Sequence, residues 1–501
     1  MFKQIKVKQY YILLLIFGFV ALGTSCKREP VIQPPTNPPS SATELQLIAD
    51  SVYLFSREIY FWDEIRTAAY DYNNFKPRDS VKSNAVTTAK AVMDKVRSTN
   101  TNDNTKGFSY ATAYDEAAGT SNAAQSINDY GFYFKAGYTN RKLEPQLREN
   151  DPYFAGWFVT YVYKNSDAGQ KGVERGMKII SVNGTNVNRL TQASLDILQN
   201  MLIEESPKSA DIVFQKPDGQ NVTLNVAITT FVPNSVLYRE KLVSSTGKNI
   251  GYLVYNFFGK YADTKADIDE AIQYFKNQGV NEIVFDLRYN RGGYTQTQNY
   301  LANNFAPATA NGGVMYKMYY NSNLQAGNYT MMRTRRSYNK DYYTVANNTF
   351  NFSTINNFNT TKLYFIVGKS TASSSELFIN NLVPYLNANL ILIGDNNTYG
   401  KPVGFFPIDL FKKVTFWTVS FETKNKNDAA VSYSGFGPNY RIYDGVDKAW
   451  GDASEDCLKA AINLIDGKPV TSAVAATVPR NTTPLIIKQK EIFEHSNILL
   501  R

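Results

Sequence analysis

The chain has 501 residues, 43% of them hydrophobic and 14% aromatic, which is enough apolar material for two or three packed domains and excludes a disordered protein. Its formal charge of +9 is spread along the chain rather than gathered in Lys/Arg blocks, so nucleic acid is not an expected partner. One histidine, His495 near the chain end, and two cysteines, Cys26 and Cys457, exclude a Ser-His-Asp triad, a multi-histidine zinc hydrolase and a thiolate zinc cluster. A hydrolase built on this chain needs a base other than imidazole, and no metal or other cofactor is expected.

The first 25 residues read as a signal peptide. Lys3, Lys6 and Lys8 precede an apolar run over 10–23, too short for the roughly 20 residues that span a bilayer. The run ends in Leu22-Gly23-Thr24-Ser25-Cys26, which resembles the lipobox of bacterial lipoproteins. That resemblance implies acylation at Cys26 and anchorage to a membrane of the bacterial cell envelope, facing the periplasm or the outer surface. The alternative is plain secretion with Cys26 left as a free thiol. Residues 26–41 carry five prolines between 30 and 39, an extended spacer of about 3.1 Å per residue suited to hold a domain off a membrane.

Over 42–105 apolar residues recur at three-four spacing through Leu45, Ile48, Val52, Phe55 and Ile59, which predicts a small helical domain. Residues 100–126 are polar and aperiodic and read as a loop. Residues 128–232 alternate short β segments with turns and one helix around Leu195, Leu198 and Leu202. This segment resembles a PDZ domain through Tyr130-Gly131-Phe132, the run 172–177 and Val182-Asn183-Gly184. The resemblance implies that Tyr130, Gly131 and Phe132 form the loop that binds a peptide's carboxylate while the peptide adds a strand to a sheet edge. An insertion over 137–151 departs from it.

Residues 233–467 read as an α/β core on a largely parallel sheet. A strand over 250–255, a helix over 262–278 and a strand over 282–288 run into Asn290-Arg291-Gly292-Gly293. Residues 306–361, rich in Asn, Tyr and Thr, read as extended surface segments and leave glycan binding open. A strand at 414–420, a helix over 453–465 begun by a box from Asp452 to Glu455, and a loosely attached tail over 468–501 complete the chain.

On local grounds Ser373 with Glu376 is a capping box at a helix start, and Lys401 is a solvated turn lysine. The ordered set of the segment 286–293, Ser370-Thr371-Ala372-Ser373-Ser374-Ser375-Glu376 and Thr398-Tyr399-Gly400-Lys401, behind a PDZ-like unit, resembles the C-terminal processing peptidases, or tail-specific proteases. The resemblance implies Ser373 as nucleophile, Lys401 as general base and the backbone N–H groups of Gly293 and Ser374 as oxyanion donors. It gives Glu376 an accessory role. Phe405 stands where several members carry a glutamine, and the Ser-to-Lys spacing is slightly long. The implied activity is a serine endopeptidase acting on exported polypeptides near their C-termini. An inactive peptide-binding lipoprotein and a glycan-binding lipoprotein are the other readings; oligomeric state has no signature.

Overall fold

The computed structural model describes residues 42–114, 126–143, 147–202, 206–355, 357–475 and 483–486. The leader, Cys26, the proline-rich spacer and His495 lie outside them. Among the described residues no helix is long and apolar enough to cross a membrane.

Helix α1 (Glu44–Ile59) starts where Thr43 and Gln46 satisfy each other's backbone N–H groups, and it buries Ile48, Val52, Phe55 and Ile59. Helix α2 (Ala85–Arg97) packs beside it. The segment read as a loop then opens with a helix, α3 (Thr101–Lys106), and a strand, β1 (Tyr110–Ala113). The six residues of α3 are all polar or charged and carry no periodicity. The helix forms because Asn100 caps its start and Gly107, at φ +65°, ends it.

Next comes an antiparallel sheet with five main strands, β2 (Phe132–Tyr138), β3 (Phe154–Val162), β4 (Lys178–Val182), β5 (Ser209–Gln215) and β6 (Asn221–Ala227), the two-residue strand Thr185–Asn186 also pairing with β4. Helix α4 (Gln192–Leu202) lies between β4 and β5 in sequence and packs Leu195 and Leu198 into the same apolar cluster as Trp157, Ile179 and Phe214.

The core follows with β7 (Val236–Val243), β8 (Asn249–Tyr255), α5 (Tyr261–Asn277), β9 (Glu282–Asp286) and α6 (Thr295–Phe305). After β10 (Val314–Tyr320) and β11 (Thr349–Asn351) come β12 (Leu363–Val367), α7 (Ser374–Leu386) and β13 (Leu390–Gly394). The chain then forms β14 (Val403–Leu410), β15 (Val414–Lys424), β16 (Tyr440–Arg441) and α8 (Asp456–Ile465). One sheet has the order β7-β8-β9-β12-β13-β16, parallel except for the β7–β8 pair. Its central strands are buried on both faces, as apolar runs such as Leu363-Tyr364-Phe365-Ile366-Val367 require. A second sheet runs β1-β15-β10-β11 with β14 also on β15, so a strand from the N-terminal segment pairs with one about three hundred residues later.

Two further expectations change. Residues 306–361 are not surface ribbon: Tyr316, Tyr320, Tyr343 and Phe352 are buried in the cluster that also holds α1, α7 and β15. Helix α8 is capped not by Asp452 but by buried Glu455, whose carboxylate accepts from Leu458 N at 2.8 Å.

Candidate active site

Three loops leave the carboxyl ends of parallel strands and meet at one place, as the topology of such a sheet favours. The turn after β9 brings Asn290, Gly292 and Gly293; the turn after β12 brings Ser373; the segment after β13 brings Lys401. Asn290 is fully buried and holds the first two together. Its amide donates to Tyr255 O at 2.9 Å and its side-chain oxygen accepts from Gly292 N at 2.9 Å. Its backbone carbonyl receives Ala372 N at 3.0 Å and Ser375 Oγ at 3.1 Å.

Ser373 sits at the start of α7 with φ +56° and ψ −117°, a backbone conformation that L-residues avoid. The Glu376 carboxylate accepts from its N–H at 3.0 Å, which supplies one arm of the predicted box. The same carboxylate reaches across to the third loop, accepting from Thr398 Oγ1 at 2.5 Å, Gly400 N at 2.7 Å and Lys401 N at 2.8 Å. Burial pushes the Glu376 carboxyl up, and these four donors pull it back toward ionisation. Its accessory part is to lock the backbone of Ser373 to that of Lys401.

Gly293, at φ +140°, forms a parallel bridge with Phe258, in which Gly292 O accepts from Phe258 N and Tyr294 N donates to Phe258 O. That pattern turns the N–H of Gly293 away from Phe258. Ser374 Oγ donates to Gly293 O at 2.6 Å, which ties the turn after β9 to the start of α7. Gly292 admits no side chain: a Cβ there would lie 2.7 Å from Ala372 O and from Ser373 Cβ.

Gly293, Ser373, Ser374 and Lys401 line one cavity of about 180 Å³ together with Leu377, Phe405 and Phe421. Lys401 is 2% exposed, with Nζ 4.2 Å from the centroid of the Phe405 ring. Burial drives its amine well below the ordinary lysine value, against the opposing charges of Glu376 and Asp103. Phe405 and Leu377 thus give the amine apolar surroundings. Asp103, from α3, was not foreseen. It is fully buried, accepting from Tyr60 Oη at 2.9 Å and from Ser109 N and Oγ at 2.9 and 2.6 Å. Lys106 of the same helix donates to Tyr399 O at 2.8 Å and receives the Tyr399 hydroxyl on its own carbonyl at 3.1 Å.

Tyr130, Gly131 and Phe132 lie elsewhere. Tyr130 and Phe132 are buried in the cluster of the five-stranded unit, the Tyr130 hydroxyl donating to Pro207 O at 2.5 Å. Gly131 packs its Cα against the Ser166 side chain. Among the described residues no group of His, Cys, Asp and Glu is arranged to hold a metal ion.

Residues 249–441 match the family model described as Peptidase family S41. The crystal structure of a proposed S41 protease from Bacteroides fragilis NCTC 9343 superposes with a TM-score of 0.58 at 23% identity, covering 87% of this chain and 99% of that one. A photosystem II D1 C-terminal processing protease aligns with a TM-score of 0.44 at 16% identity, over 79% of this chain and 92% of its own. No curated protein matches the sequence. The likeness to the Bacteroides protein shows a shared mixed α/β fold.

Proposed function

We propose that this chain, whose residues 249–441 match the peptidase family S41 model, is a Ser-Lys endopeptidase that cleaves exported polypeptides near their C-termini. The observation that carries the reading is that buried Lys401 lines one cavity with Ser373, Ser374 and Gly293. Neutral Lys401 takes the proton from Ser373 Oγ as that oxygen attacks the scissile carbonyl carbon. The carbonyl oxygen becomes an oxyanion held by the N–H groups of Gly293 and Ser374 at the positive end of α7. As the C–N bond breaks, the ammonium of Lys401 returns its proton to the leaving amine, and an acyl-Ser373 ester remains. Water, deprotonated by Lys401, hydrolyses the ester.

Ser373→Ala and Lys401→Ala are each expected to lower the rate of cleavage of an unfolded protein by about a thousand-fold or more, with an unchanged circular dichroism spectrum. A serine-reactive phosphonate should label Ser373. Full activity in either variant, or an unlabelled Ser373, sinks the reading and leaves a peptide-binding protein.

The five-stranded unit over 128–232 is the proposed peptide-recognition module, by its resemblance to a PDZ domain. The lipobox-like stretch supports anchorage at Cys26 to the cell envelope. Metabolic labelling with a palmitate analogue should mark the expressed chain and not its Cys26→Ala variant.

A further inference from the structure

Residues 483–486 of the chain's own tail are seated on the five-stranded unit. Glu149 N donates to Thr483 O at 2.8 Å and Leu485 N donates to Leu147 O at 3.0 Å, an antiparallel pairing centred on Arg148 and Pro484. Pro484 occupies the one position of that pairing that asks for no N–H. The next residue is held from both sides by Gln192 at the head of α4: Ile486 N donates to its side-chain oxygen at 2.8 Å, and its Nε2 donates to Ile486 O at 2.9 Å. A single side chain of the segment is buried, Leu485 at 5% exposure within the unit's apolar cluster, whereas Ile486 is 74% exposed.

Every polar contact just described uses the tail's backbone, and one aliphatic side chain fills the recess. That is how a protein holds an extended peptide of unspecified sequence, with backbone bonds giving affinity and one pocket giving selection. Leu147 and Leu143 also line a cavity of about 350 Å³ that extends to Ser370, three residues before the nucleophile.

We propose that the groove between residues 147–149 and Gln192 is a peptide-binding site for an extended polypeptide segment bearing an aliphatic residue, occupied in cis by residues 483–486 and taken over by a substrate segment. The substrate part of this statement rests on the peptidase reading; the binding site does not. A tethered tail competes at an effective concentration of about 1 mM, so a free peptide meets a closed groove in the resting protein.

The test uses the full chain carrying Ser373→Ala, which removes cleavage from the readout, and a fluorescein-labelled peptide of residues 481–488. Adding Leu485→Asp should eject the tail and tighten peptide binding, measured by anisotropy, at least ten-fold. Adding Gln192→Ala to that protein should weaken binding again by roughly five-fold, since a two-point clamp is lost. Equal binding by the two Leu485 forms, or no binding by the Leu485→Asp protein with an intact melting transition, overturns the proposal. If Leu485→Asp does not fold, hydrogen exchange on the Ser373→Ala protein decides. Several millimolar peptide should speed exchange of the Leu485 and Ile486 amides, and unchanged rates at that concentration overturn the proposal. Cleavage by the unmodified chain is a separate measurement, so failure here and failure of the peptidase reading are told apart.

Discussion

Ser373 adopts φ +56° and ψ −117°, and the bonds around it show what keeps it there: Glu376 on its N–H, Leu377 N on its carbonyl at 2.7 Å, and Gly292 pressed against its Cβ. Such a conformation costs a residue with a side chain of order 1–3 kcal/mol, and glycine far less. Ser373→Gly should therefore raise the free energy of unfolding by about 1 kcal/mol relative to Ser373→Ala, read as a higher denaturant midpoint, while both proteins are inactive. In the proposed reaction Lys401 sets the pH dependence. The reaction needs its neutral form, and burial lowers its pKa, so kcat/KM should rise with pH along a single limb whose midpoint lies well below 10.5. The same shift sets the linkage to folding. The folded pKa is depressed, so stability tied to this group is complete above the unfolded lysine value and is lost as pH falls through the folded one. The charge of Asp103 opposes the depression; Asp103→Asn should move the rising limb to lower pH, and an unmoved or alkaline-shifted limb contradicts that.

At the scale of elements, α7 is held at both ends by residues outside the helix. The helix runs through Pro384 into its last turn, and the Asn380 carbonyl, which Pro384 cannot serve, accepts from Asn425 Nδ2 at 3.2 Å instead. Its other end depends on Gly292. Gly292→Ala forces a Cβ onto backbone atoms of Ala372 and Ser374 at φ +97°, and is expected to abolish cleavage and cost about 2–3 kcal/mol in chemical denaturation. Ser373, Ser374, Glu376, Gly293 and Lys401 were legible because their motifs follow one another in order along the chain. The parts played by Asn290, although it lies within the 286–293 motif, and by Asp103 were not, because they appear only when partners from distant segments close around them. Helix α3 and β1 were hidden for a related reason, being too short to show a period. The Tyr- and Asn-rich stretch 306–361 misled because tyrosine suits both surface and core, and Tyr316 and Tyr343 went inside.

Across the whole molecule a buried ionic node ties the five-stranded unit to the parallel sheet. Arg288 bonds Asp286, Asp444 and Glu455, and Asp444 also receives Arg175, Lys135 and the Tyr289 hydroxyl. The cationic neighbours hold Asp444 well below the usual carboxylate range, against its burial. Arg288→Met should cost about 3–5 kcal/mol by leaving buried carboxylates uncompensated, seen as a large fall in the denaturation midpoint with Ser373 and Lys401 untouched. The pairing of β1 with β15 spans a longer distance in the chain. At about 5–20 residues per second, the ribosome takes roughly 15–60 seconds to make the intervening three hundred residues. For that time the Tyr110–Ala113 edge has no partner in β15, and Asp103 and Lys106 wait for Lys401 and Tyr399. On the proposed reading a nascent chain is thus unable to cut its neighbours, because Ser373 and Lys401 are among the last parts of the chain to meet.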